Sequence, residues 1–250
     1  EPAGAGLLAA AAAALCSAYM AAAWGGYVFV LNMIGIHAGV LVLMNRFSPK
    51  LWRAYSLWFI VGTAGAVFGP SRYLVGWQPF QSLEQLGPLA VFFGLQVLQV
   101  CELQRAKHNL TPAQLFALRF KAFSACAALA AIALMLLPEG FVGPLSARVR
   151  GLFIKHTRTG NPLVDSVAEH QATPPNVYWQ YYHVVALIGP LGLLPLLHNQ
   201  TDQKVFMVVY SCVGAYFSSK MIRLVLLLSP AACVNAGVFT SVLLEIAVYL

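Results

Sequence analysis

The chain has 250 residues, 60% of them hydrophobic and only 9% charged, against about 25% charged in an ordinary soluble domain. A water-soluble fold of this size would leave large apolar patches exposed and aggregate, so the composition points to an all-α polytopic membrane protein. The net charge of +7 suits contact with anionic headgroups or an anionic ligand, while the basic residues are scattered and form no stripe for nucleic acid.

Residues 7–45 contain no Asp, Glu, Lys or Arg, enough for two crossings, with Trp24-Gly25-Gly26 as the natural break between them. Further uncharged runs cover 54–71, 85–101, 122–138, 178–197, 205–219 and 224–244, giving about eight spans. Several fall short of the roughly 20 residues an isolated span needs, which is tolerable where neighbouring helices shield their ends. Abundant Ala, Gly and Ser suit close helix packing in lipid. Five cysteines (16, 101, 126, 212, 233) all lie in apolar stretches, none in a CxxC pair, and read as small buried hydrophobes. The first apolar stretch follows no basic segment, so it reads as a span rather than a signal peptide. A start without methionine and an end inside an apolar run read as a fragment, 1–250 forming a single transmembrane domain.

Alternation puts the connections 46–53, 105–121 and 198–204 on one side of the membrane. The opposite side receives 72–84, the 139–177 loop and the junction at Lys220–Arg223. Lys and Arg divide almost evenly between the sides, but short loops weigh most, and 46–53 against 72–84 favours the first side as cytosolic. Two N-x-S/T sites, Asn109-Leu-Thr111 and Asn199-Gln-Thr201, fall on that cytosolic side and are expected to carry no glycan.

The 139–177 loop is far longer than an ordinary connection, and long loops are commonly functional or disordered. It carries Arg148, Arg150, Lys155, His156 and Arg158, then Asp165, Glu169 and His170 just before the next helix. A carboxylate at the mouth of a bundle can hold a divalent cation or accept a hydrogen bond from a substrate N–H; polar loop residues more commonly just face water. His170 has no partner at metal-ligand spacing. Arg223 shares that membrane face. Its guanidinium either snorkels to the headgroups or forks onto phosphate oxygens, with Lys220 reinforcing either role. His37, in mid-span, reads as a satisfied core histidine, and Glu102 and Glu245, near helix ends, as solvated or interhelical groups. Trp179, Tyr181 and Tyr182 look like an interfacial belt. The sequence contains no P-loop, dinucleotide fingerprint, GxSxG or internal repeat.

Several of these segments resemble one family, the catalytic subunit of the eukaryotic oligosaccharyltransferase. Trp24-Gly-Gly-Tyr-Val-Phe29, followed by Asn32 and His37, is similar to its mid-membrane signature. Ser166-Val-Ala-Glu-His-Gln171 is similar to its Ser-Val-Ser-Glu-His-Gln loop motif, with Ala168 replacing the second serine, and Met221-Ile-Arg223-Leu matches its Met-Val-Arg-Leu segment. Val75-Gly-Trp-Gln-Pro79 and Arg46-Phe-Ser48 are weaker echoes. Order and spacing agree from about Trp24 to Ala236. Lys220, in place of an apolar residue, and Ala172-Thr173-Pro174, in place of Pro-Thr, are departures.

The resemblance implies a GT-C type multi-span glycosyltransferase in the endoplasmic reticulum membrane, with the 139–177 loop lumenal. Its reaction would move a preassembled glycan from dolichyl pyrophosphate to the asparagine of N-X-S/T sequons in a nascent polypeptide, alone or with other oligosaccharyltransferase subunits. By the same resemblance Glu169 is catalytic and binds the divalent cation (Mg2+ or Mn2+), and Arg223 binds the lipid pyrophosphate. Residues 140–165 would match the part of the loop that orders over substrate. Further acidic motifs are expected upstream of Glu1, and a lumenal domain with a Trp-Trp-Asp-Tyr-Gly motif beyond Leu250, so this piece alone is expected to be inactive. A transporter or flippase would share the composition, and a non-catalytic scaffold or decayed copy would share the motifs.

Overall fold

Backbone polar groups in hydrocarbon find no water, so a chain this apolar must satisfy them within its own helices. The computed structural model describes residues 3–24, 26–69, 86–136 and 171–249, and no strand occurs among them. The helices fall into two units, Glu1–Leu145 and Ser146–Leu250. Helices occupy every one of the seven uncharged runs where described, with two in 7–45, so the all-α, multi-span expectation holds. Among the described residues five are long and apolar enough to cross a membrane, or six if one bent pair is a single span. The others are Tyr27–Leu43, which has only 17 residues, and Asp202–Lys220, which carries charges at both ends. Both rely on neighbours.

The first unit holds α1 (Ala3–Ala23), α2 (Tyr27–Leu43), α3 (Pro49–Phe68), α4 (Leu86–His108) and α5 (Pro112–Leu136). Its main seam runs between α1 and α3, where small residues let the backbones approach. Ala14 and Ala21 are fully buried, and a Cβ added at Gly65 would lie 2.6 Å from the Cβ of Ala18. Because lipid is as apolar as leucine, close packing and interhelical hydrogen bonds must hold such helices together. The Trp58 indole donates to Ser17 Oγ at 3.0 Å, the Trp52 indole to Gln96 Oε1 at 2.8 Å, and Gln96 Nε2 to Ser56 Oγ at 2.8 Å. The buried Tyr55 hydroxyl donates to the Pro88 carbonyl at 2.9 Å. Tyr55, Trp58 and Phe59 of α3 then pack with Leu95 and Leu98 of α4 to form the core.

Turns in this unit follow from residue type. Asn45 and Asn109 end α2 and α4 with positive φ, 58° and 48°, a region asparagine tolerates better than most. The next N–H reaches back five residues in each case, Arg46 to the Leu41 carbonyl (2.9 Å) and Leu110 to that of Arg105 (3.3 Å), closing the helix end as a Schellman motif. Ser48 Oγ then caps α3 by accepting from Leu51 N–H at 3.2 Å. Thr111 and Gln114 exchange bonds of 3.4 and 3.0 Å at the start of α5, a capping box. Glu102 pairs with Arg119 across α4 and α5 and with Arg105 at 3.4 Å, so its expected interhelical role is met. Beyond that hairpin α5 leaves Phe116, Phe120 and Met135 exposed, as a helix facing acyl chains would.

The second unit holds α6 (Pro175–Tyr182), α7 (Val185–Leu191), α8 (Leu193–Leu197), α9 (Asp202–Lys220), a single 3-10 turn (Ile222–Leu224) and α10 (Val225–Tyr249). The 178–197 run is not one straight helix: α6 and the α7–α8 pair are bent by 97°. His183 stands at the break with φ 48° and ψ −125°, and Pro190 and Pro195 each remove a ladder donor further on. The broken span lies against α10. A Cβ at Gly192 would fall 1.9 Å from the Asn235 carbonyl oxygen, so only glycine permits this approach. Thr201 caps α9 by accepting from Lys204 N–H at 3.4 Å, and Asn235 Nδ2 donates to Ser211 Oγ at 2.8 Å inside the α9–α10 seam. Tyr210 Oη donates to the Leu227 carbonyl at 2.7 Å, near Pro230, which interrupts the α10 ladder.

Candidate functional site

The last carbonyls of any helix have no partner within it. At the C-terminal end of α9 they are taken by the segment that leaves the long loop. Thr173 and Pro174 each precede a proline, which biases both toward extended backbone; Pro174 has φ −74° and ψ 153°. Thr173 N–H donates to the Ser219 carbonyl at 3.3 Å, and Thr173 Oγ1 donates to the Ser218 carbonyl. In return Ile222 N–H donates to the Gln171 carbonyl at 3.1 Å. Residues 171–173 thus run antiparallel to 219–222, where Met221 is itself extended (φ −153°, ψ 127°).

Two tyrosines of α6 bolt this junction from behind. Ser218, fully buried, donates its hydroxyl to the Ala215 carbonyl at 2.9 Å, so the Tyr178 hydroxyl, 2.9 Å from Ser218 Oγ, is the donor of that pair. Tyr182 Oη donates to the Val225 carbonyl at the start of α10. Val177 and Tyr182 pack with Val225 and Ala232 beneath.

Arg223 lies in the one-turn 3-10 segment between α9 and α10, with its side chain exposed. Its Nε donates to Met221 Sδ at 3.0 Å; among the described residues the two terminal nitrogens have no partner. The 25-residue α10 begins two residues on, and its dipole adds to the positive potential there. Lys220 sits at the end of α9, its Nζ 5.2 Å from the Tyr216 ring centroid, a cation–π contact. The junction therefore offers two cations, one of them a guanidinium whose two terminal nitrogens are open to an oxyanion.

Of the residues singled out in the sequence, Arg223, Lys220 and Gln171 meet here. Glu169, with Asp165, Ser166, His170, Arg148, Arg150, Lys155, His156 and Arg158, lies outside the described residues. So do the loop match expected at 140–165 and Val75–Pro79. Among the described residues no three His, Cys, Asp or Glu side chains come together to hold a metal ion. Trp24 is exposed, Asn32 Nδ2 donates to the Val28 carbonyl at 2.8 Å, and His37 is partly buried within α2; these belong to the first unit. Two expectations need correcting. Trp179 and Tyr181 are exposed as an interfacial belt requires, but Tyr182 is buried, because its hydroxyl is committed to the Val225 carbonyl. Of the five cysteines only Cys101 is buried; Cys16, Cys126, Cys212 and Cys233 are exposed and all five are free. The polar contacts of Thr173, Tyr178 and Ser218 were not anticipated; the Thr-Pro-Pro run was the signal for an extended exit.

Residues 6–236 match the family model for oligosaccharyl transferase STT3, N-terminal. The chain is 35% identical over 234 residues to the Dictyostelium discoideum dolichyl-diphosphooligosaccharide–protein glycosyltransferase subunit STT3, covering 92% of this chain and 32% of that protein. It is 34% identical over 232 residues to the same subunit of Schizosaccharomyces pombe, covering 91% and 30%. Against that of Saccharomyces cerevisiae identity is 31% over 236 residues, covering 94% and 32%. The chain spans about a third of the length of the curated relatives it matches.

Proposed function

Since the chain belongs to the STT3 family of oligosaccharyl transferases, we propose that it forms the part of a membrane-embedded glycosyltransferase that holds a lipid diphosphate donor and presents it to an asparagine acceptor. The reading rests on one observation. The hydrogen bond from Ile222 N–H to the Gln171 carbonyl sets the exit of the external loop beside the segment that carries Arg223. Glu169 is two residues upstream of Gln171, a tether of at most about 7 Å.

In this reading Arg223 forks onto the diphosphate of a dolichyl-linked oligosaccharide, helped by the α10 N-terminus. Glu169 accepts N–H hydrogen bonds from the acceptor asparagine amide. That nitrogen is a poor nucleophile because its lone pair is delocalised into the carbonyl, as in a peptide bond. A carboxylate that draws the amide out of plane frees the lone pair to form the new C–N bond at the sugar. The sugar–oxygen bond to the diphosphate breaks, the amide gives one proton to the Glu169 carboxylate that accepts its hydrogen bond, and the diphosphate leaves. Its charge is met by Arg223, worth most where water is sparse. A divalent cation, Mg2+ or Mn2+, would supply further neutralisation of the leaving diphosphate. Glu169 is the carboxylate this chain would offer it, with other ligands from outside the described residues. The site would face the lumen of the endoplasmic reticulum, with the acceptor in a nascent polypeptide and with companion subunits, since the relatives are named as subunits.

The test is transfer in the full-length protein carrying this chain, given lipid-linked donor and an N-X-T peptide in detergent. Arg223→Ala is expected to lower the rate at least about 100-fold, in line with loss of one charge-stabilising donor, and Glu169→Gln by at least about 100-fold, in line with loss of a carboxylate acting on the transferred proton, each with an unchanged unfolding midpoint. Near-normal transfer by both variants would remove these roles. Uptake or flipping of lipid without any glycosylated peptide would instead support the transporter reading.

A further inference from the structure

We infer that Thr173, Tyr178 and Ser218 are positioning residues: together they hook the loop exit onto the α9 C-terminus and so set the register of Arg223 toward the donor diphosphate. This inference rests on the diphosphate-binding reading of Arg223 and adds to it the group of side chains that fixes where that arginine stands.

The chain at Met221 has left one helix and not yet entered the next. Its extended backbone separates α9 from the 3-10 turn that opens α10, and the two soft dihedrals of one extended residue do not by themselves fix how the two helix ends stand to one another. Contacts outside the two helices must set that junction. Four bonds supply that hold: Thr173 N–H to the Ser219 carbonyl, Thr173 Oγ1 to the Ser218 carbonyl, Ile222 N–H to the Gln171 carbonyl, and Tyr178 Oη to Ser218 Oγ. Each of the first two satisfies an end carbonyl of α9 that has no other helical partner. Ser218 is fully buried, so any bond lost there is not replaced by water and costs the full desolvation of the group left behind. With the hook intact, Ile222 can sit only opposite Gln171, which places the next residue, Arg223, one position from the loop exit. With it broken, the same exit can slide along residues 219–222 without altering either helix. The chemistry of the hook is local and polar, and none of its three side chains is itself a charge that could bind phosphate.

The experiment measures steady-state transfer in the full-length protein, varying donor and acceptor peptide separately. Thr173→Val keeps the shape of the side chain and removes Oγ1, and Tyr178→Phe removes only the phenolic oxygen, so a fold failure in the first leaves the second informative. Both are expected to raise the donor KM about tenfold, the equivalent of one lost hydrogen bond with a buried partner, with acceptor KM unchanged. Thr173→Ser, which restores a hydroxyl, is expected to return the donor KM to within twofold of wild type. Thr201→Ala is the control: it strips the cap from the opposite end of α9 and weakens the helix, but is expected to leave donor KM alone. A donor KM unmoved in Tyr178→Phe and Thr173→Val overturns the hook, as does a rise matched by Thr201→Ala or not rescued by Thr173→Ser. If Glu169→Gln and Arg223→Ala still abolish transfer in that case, the proposed function survives without the hook; if those two are also normal, the failure belongs to the proposed function.

Discussion

Gly192 is where the broken span of the second unit comes closest to α10, and replacing it with alanine puts a definite strain on the fold. The added Cβ would lie 1.9 Å from the Asn235 carbonyl oxygen, 2.5 Å from its carbon and 2.9 Å from its Cα. All three are backbone atoms, so no rotamer change relieves the overlap. Ordinary contact starts near 3.4 Å, so α7 and α8 must retreat from α10 by about 1.5 Å. A gap of 0.5–1 Å already forfeits roughly a quarter to a half of each van der Waals well along a seam. Overpacking of this kind costs about 1–3 kcal/mol. Gly192 has helical angles (φ −65°, ψ −14°), so alanine recovers up to about 1 kcal/mol of helix propensity, leaving a net loss of about 1–2 kcal/mol. The assay is unfolding of the full-length protein by SDS in mixed micelles, followed by tryptophan fluorescence. Gly237→Ala in α10, where an added Cβ meets nothing within 4 Å, is the reference and is expected to be neutral or stabilised by up to about 1 kcal/mol. Equal unfolding midpoints for the two variants would show that α7–α8 does not press on α10 as described.

The α4–α5 hairpin yields a second test: a double-mutant cycle on Glu102→Gln and Arg119→Gln is expected to show coupling of about 1 kcal/mol that falls with added salt, since both side chains are about a quarter exposed. At the hairpin turn, Asn109→Gly is expected to be neutral or mildly stabilising, whereas Asn109→Ala is expected to cost about 1 kcal/mol because φ 48° crowds its Cβ. The same SDS titration reads both.

The membrane bundle was legible because the constraint behind it is severe. Charges are costly inside hydrocarbon, so uncharged runs mark helices, and every one of the seven is helical where described. The 97° bend at His183 was not legible, since Gly189, Pro190, Gly192 and Pro195 sit in a run as apolar as any straight span, and the bend is stabilised by α10 rather than by local sequence. Tyr182 misled for a related reason. An aromatic hydroxyl at a span end suits a headgroup as well as a buried carbonyl, and only packing against Val225 and Ala232 decides. Arg223 stood out by charge, but its free guanidinium depends on Met221 and on the extended junction, which are tertiary facts. The hook was invisible because unsatisfied carbonyls at the end of α9 leave no mark in residue type; a threonine before two prolines is a trace of it and nothing more.

The two N-x-T sites show how a modification motif can arise from folding alone. Asn109 and Asn199 both adopt positive φ, 48° and 47°, just past the ends of α4 and α8. Two residues later Thr111 and Thr201 cap the next helices, their hydroxyls accepting from Gln114 and Lys204 N–H at 3.4 Å. A tight helix–helix turn selects asparagine for its left-handed tolerance and threonine for N-capping, and one spacer residue between them writes Asn-X-Thr. Asn45, with Ser48 as the following cap, is the same device with one residue more and no such motif. A sequon engaged this way has its threonine hydroxyl committed to the helix start, so attaching a glycan would require the turn to open and the helix to lose its cap. That constraint acts whichever side of the membrane the turns face.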